Sequence, residues 1–107
     1  MPEEIIIFIT AGNKTEADQI AKVLIQEKLA ACVNMIDPVE SVFKWQNQVS
    51  QEKEILMMVK SISRNMEKII TMVKQNHSYD VPEIIAMPII SGSKEYLSWL
   101  REESSGR

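Results

Sequence analysis

The chain has 107 residues, 45% apolar and 25% charged, with a formal net charge of −3 at pH 7. That length closes one domain, 1–107, over its own core without disulfides or a structural metal, and the apolar fraction excludes a disordered chain. An acidic balance without a Lys or Arg cluster excludes nucleic acid and anionic membrane as partners, and a single cysteine, Cys32, excludes an internal disulfide, a thiolate zinc site and a four-cysteine iron–sulfur cluster.

The first apolar run, Ile5-Ile6-Ile7-Phe8-Ile9, lacks polar alternation and reads as a central strand covered on both faces. Met1-Pro2-Glu3-Glu4 before it is acidic where a secretory signal is basic, and the run is too short for an export or membrane segment. With the lone cysteine, this sets the expectation of a cytoplasmic protein. Thr10-Ala11-Gly12 turns the chain, Asn13 caps a helix with Glu16 three residues on, and Ala17, Ile20, Ala21 and Leu24 form its inner stripe to about Glu27–Leu29.

From Ala30 to Trp45 the period becomes that of a strand, interrupted at Asp37-Pro38. Gln46-Asn47-Gln48 reads as a three-residue loop, and Val49 to Lys60 returns as a second long strand whose half Ile55–Val59 is apolar throughout. Ser61 or Ser63 caps the next helix, with Met66, Ile69, Ile70 and Val73 inward, ending near Asn76. Val81-Pro82 forces an extended entry to a strand over Glu83–Ile90, Ser93 caps a last helix through Tyr96 and Leu100, and Ser104 to Arg107 should fray.

The order β-α-β-β-α-β names an α+β, ferredoxin-like split βαβ fold: two helices on one face of a four-stranded antiparallel sheet, with strands one and three central. Each hairpin arm would reach ~40–50 Å at ~3.3 Å per residue, against a radius of gyration near ~13 Å for a domain of this size. The arms therefore overhang. A ribbon carrying Val42, Phe43, Trp45 and Val49 is an adhesive edge unless another subunit covers it, which predicts an oligomer, with Pro38 marking a bulge where the arm leaves its sheet.

Five ordered motifs then carry a resemblance over nearly the whole chain: Lys28-Leu29-Ala30-Ala31-Cys32-Val33-Asn34, Ser41 to Trp45, Glu54 to Lys60, His77 to Ile85 and Tyr96 to Leu100. Together they resemble the CutA (CutA1) divalent-ion-tolerance family. The resemblance implies a homotrimer with hairpins paired between subunits, an architecture similar to the PII signalling proteins, and a part in tolerance of copper and other divalent metals. Members with a described copper site carry a cysteine at the end of the first strand and two adjacent histidines before the Tyr and Pro-Glu motif. Here those positions hold Ile9 and Asn76, leaving only His77.

The candidate metal ligands are accordingly His77, Glu83 and Cys32, with Asp80 as the alternative oxygen donor on the same loop, for copper or another divalent ion. The alternative for His77 is closure of a helix C-terminus on its last carbonyls, and for Cys32 simple packing. The methionines read as core filling. Trp45, Glu54, Lys60 and Tyr79 are expected at an intersubunit cleft for a small anionic or organic ligand, or as interface ion pairs. No enzyme is expected, since none of Arg64, Arg101 and Arg107 follows a Gly-rich strand end and no nucleophile and base stand out.

Overall fold

A computed structural model describes residues 3–106; Arg107, in the tail expected to fray, and the two residues preceding Glu3 lie outside them. Strands β1 (Glu4–Ala11), β2 (Cys32–Trp45), β3 (Gln48–Ile62) and β4 (Ile84–Pro88) alternate with helices α1 (Lys14–Gln26) and α2 (Met66–Asn76), and α3 (Lys94–Glu103) follows. The sheet order is β2-β3-β1-β4, antiparallel throughout, with β1 and β3 in the centre as the ferredoxin-like order requires. Asn13 caps α1 by accepting the Glu16 amide at 2.9 Å, and Ser93 caps α3.

Cross-strand partners share a face. Ile5, Ile7 and Ile9 with Ile55, Met57 and Val59 meet Ala17, Ile20, Leu24, Ile69 and Val73 in one buried core. The opposite set includes Ile6, Phe8, Leu56 and Met58, all half-buried, with Ile36 45% and Met87 57% exposed. The chain thus covers its central strands on one face only, not on both as the apolar runs led one to expect. An exposed Met87 likewise departs from the reading of every methionine as core filling. Apolar runs report low polarity on both sides of a strand, not which chain supplies the cover.

The hairpin overhangs as expected. Only Ile55–Ile62 of β3 pairs with β1, while Gln48–Glu54 pairs with β2 alone, and the longest dimension is 44 Å. The register slips between Ile36 and Val39, so the bulge falls at Asp37-Pro38. The tip is a two-residue turn rather than the three-residue loop expected: Trp45 pairs with Gln48, and Gln46 and Asn47 take φ of 50° and 65°. Two successive positive φ values match the twist of the flanking strands.

Three other local expectations are corrected. Strand β4 is shorter than Glu83–Ile90: its ladder with β1 runs over Ile84–Pro88, and past it only the Ile89 amide donates to the Glu4 carbonyl, at 2.9 Å. Neither Ser61 nor Ser63 caps α2, which a 3₁₀ turn, Ser63–Asn65, leads into; the Ser61 hydroxyl instead donates to the Leu29 carbonyl. The described tail is docked rather than frayed: Ser104 is fully buried, Asn65 Nδ2 donates to its carbonyl at 2.8 Å, and the Gly106 amide donates to the Lys28 carbonyl at 2.9 Å.

Candidate functional site

The loop from α2 to β4 is fastened at three successive residues. His77 has its side chain enclosed, and its Nε2–H donates to the Thr10 carbonyl at 2.8 Å while Nδ1 accepts the Tyr79 amide at 3.1 Å. Ser78 donates its amide to Glu16 Oε1 at 2.8 Å. Tyr79 donates its hydroxyl to Glu54 Oε2 at 2.8 Å. Asn76 closes the end of α2 by donating to the Met72 carbonyl, the role that the sequence offered to His77. Ile9 is fully buried in the core.

Both His77 nitrogens are thus engaged, the second with Glu16 Oε2 a further 3.7 Å away. Cys32 pairs with Lys60, whereas Thr10, which holds His77, pairs with Leu56. Four steps along β3 separate the two sites by about 13 Å. Glu83 is exposed on the wall of the cleft described next. One chain therefore does not bring His77, Cys32 and Glu83 together, and among the described residues no group of three or more His, Cys, Asp or Glu is placed to hold a metal ion.

The fastened loop and the outer hairpin enclose a cleft of about 750 Å³. The hairpin supplies Phe43, Trp45, Glu52 and Glu54, and the loop supplies Tyr79, Asp80 and Glu83. Glu54 is only 5% exposed, whereas Trp45 is 48% and Tyr79 38% exposed. Burial first, then the hydrogen bond and charge of Glu54, push the Tyr79 phenol well above its usual range, so it stays a donor. Gly12 makes room for it, since a Cβ there would stand 3.1 Å from the Tyr79 hydroxyl.

Of the four residues expected at the cleft, three are in it and Lys60 is not. Its ammonium contacts Asn34 Oδ1 beside Cys32, at the end of the sheet where the Tyr96 hydroxyl also meets the thiol. Among the described residues no Lys, Arg or His lines the cleft, so its charge suits a cation and not the anion that Lys60 would have favoured. Glu52 as lining and Glu16 as the clamp were missed from sequence, and Asp80 and Phe43, read there as a metal donor and an adhesive hairpin residue, line the cleft instead; the acids at every second position of β3, Glu52 and Glu54, were the available signal.

Comparison with known proteins identifies the family and the fold. The model of the family described as "CutA1 divalent ion tolerance protein" matches residues 5–103. A relative from Thermus thermophilus, named divalent-cation tolerance protein CutA, is 43% identical over 94% of this chain and 98% of its own. The chloroplastic CutA of Arabidopsis thaliana is 40% identical over 94% of this chain, which spans 55% of that longer protein. Among solved structures, CutA1 from Oryza sativa superposes with a TM-score of 0.93 at 39% identity, covering 96% of this chain and 94% of that one. The divalent cation tolerance protein from Thermus thermophilus gives 0.92 at 42% identity, over 94% and 98%.

Proposed function

The chain belongs to the CutA1 divalent ion tolerance family, and from that premise we propose that it serves the response to divalent metal ions as a non-enzymatic, cytosolic homotrimer. The observation that carries the assembly is the uncovered apolar side of the sheet, Ile36, Leu56, Met58 and Met87, continuous with an outer hairpin that has no second layer. Three copies cover both by pairing hairpins. Copper meets the trimer weakly, through donors from different subunits: one chain keeps Cys32 apart from His77, and His77 contributes only if its bonds to Thr10 and Tyr79 open. The free thiol of Cys32 supports a reducing compartment.

Light scattering at micromolar concentration tests the assembly, with a trimer mass expected and a monomer mass against it. Calorimetry with copper tests the metal reading: shallow binding that weakens in His77→Ala or Cys32→Ala is expected. Binding unchanged in both variants removes these residues from the metal's path.

A second reading is favoured by the cleft itself. Its volume suits a small molecule, and its loop wall is pinned to the body at Thr10, Glu16 and Glu54. In that reading the trimer is a PII-like sensor that answers to an organic ligand.

A further inference from the structure

The loop between α2 and β4 is held by side chains. Among the described residues, none of 78–83 takes part in a backbone-to-backbone hydrogen bond outside the sheet and helices, and Ser78, Tyr79, Asp80, Val81 and Glu83 are exposed. The attachments sit on three successive residues and reach three elements: His77 to Thr10 of β1, Ser78 to Glu16 of α1, and Tyr79 to Glu54 of β3. A segment with little buried apolar surface and few fixed backbone bonds belongs to the low end of local stability.

Beneath this loop the imidazole of His77 is fully enclosed. Tyr79 is its cover: the Tyr79 amide donates to Nδ1, and the ring lies against the imidazole with centroids 4.7 Å apart, tilted by 55°. Swinging Tyr79 away from Glu54 removes the partner of Nδ1 and uncovers the imidazole in one motion. Ser78 lies between the two, so its amide leaves Glu16 in the same movement. We propose that residues 77–83 form a strap that opens and closes as one unit, and that the imidazole of His77 is offered to an outside reagent or ligand only while the strap is open. The strap is a property of the chain itself and stands whether or not a metal ever uses that imidazole.

His77 is the one histidine of the sequence, so its reaction with diethyl pyrocarbonate in the metal-free assembly, located by mass spectrometry after digestion, reports the open strap. The wild-type chain is expected to react far more slowly than N-acetylhistidine, yet faster than its globally unfolded fraction allows. Glu16→Gln and Tyr79→Phe should each accelerate the reaction at least ~10-fold, the scale of one charge-assisted hydrogen bond. Each should also speed amide exchange at both Ser78 and Tyr79 while the β1 amides stay unmoved. Tyr79→Phe lowers global stability as well, so its unfolding free energy is measured by urea titration. Glu16→Gln keeps the proposal testable if that variant does not fold, since the Glu16 amide that Asn13 caps is untouched. Four results overturn the strap: wild-type His77 reacting as fast as N-acetylhistidine, reaction no faster than the unfolded fraction allows, Glu16→Gln loosening Ser78 while His77 keeps its wild-type rate, or a rate that falls as protein concentration rises, which makes a neighbouring copy the seal. The copper titration is read separately, so either can fail without the other.

Discussion

Tyr79 and Glu54 lie 25 residues apart in sequence and join the loop before β4 to the hairpin through one hydrogen bond, 2.8 Å from phenol to carboxylate. That bond sets one wall of the cleft against the other. It also makes the loop a structural part of the hairpin and not a loose connection.

Replacing Tyr79 with Phe leaves the Glu54 carboxylate buried without its donor. A loss of about 1–3 kcal/mol in unfolding free energy is expected from urea titration. The pH dependence follows as well. With the folded phenol raised above its ordinary value of 10.0, the unfolded chain releases this proton first, so stability is full below pH 10 and falls as pH rises beyond it. Tyr96, raised by burial and then by Cys32, adds to the same fall, so Tyr79→Phe should flatten the alkaline limb without abolishing it.

Gly12 is coupled to the same bond. Gly12→Ala places a methyl group 3.1 Å from the Tyr79 hydroxyl and should cost about 1 kcal/mol through displacement of that group. In the Tyr79→Phe background the obstruction is gone, and the alanine should become neutral or stabilising by roughly 0.5 kcal/mol through the unfolded chain. A double-mutant cycle by denaturant titration measures the difference, and additive effects would refute the coupling.

Asn65 ties three parts of the chain together by donating to the Leu29 and Ser104 carbonyls at 3.1 and 2.8 Å. Asn65→Ala should cost about 2 kcal/mol and release the segment after α3. Hydrogen exchange at the Ser104 and Gly106 amides, which donate to Leu100 and Lys28, should accelerate more than exchange in β1.

The element order, the hairpin overhang and the bulge at Pro38 were legible because each depends on local signals: apolar period, chain length and a missing amide. Asn65 was not, since its partners lie 36 and 39 residues away and leave no periodic trace. Lys60 shows a different failure. Parity places it on the same side of β3 as Glu54, but six residues of strand put it about 20 Å away, at the other end of the sheet. His77 drew notice as the chain's lone imidazole, and its actual work, holding Thr10 and Tyr79, depends on a strand 67 residues earlier.

At the hairpin tip, Asn47 holds φ of 65°, which a side chain tolerates at some cost. Asn47→Gly should raise the thermal midpoint slightly, by the equivalent of about 0.5 kcal/mol, with cleft binding unaffected. A drop in stability would show that the Asn side chain contributes more than its backbone.

Strand β3 changes character along its length, from the centre of a sheet at Ile55–Ile62 to half of a bare ribbon at Gln48–Glu54. Two strands with no layer behind them are marginal in water. The inner half draws its persistence from its own chain, and the outer half from whatever lies against it. Amide exchange from Val39 to Glu54 should therefore slow as protein concentration rises, while exchange at Ile55–Ile62 stays fixed. One continuous strand would then report folding at one end and association at the other.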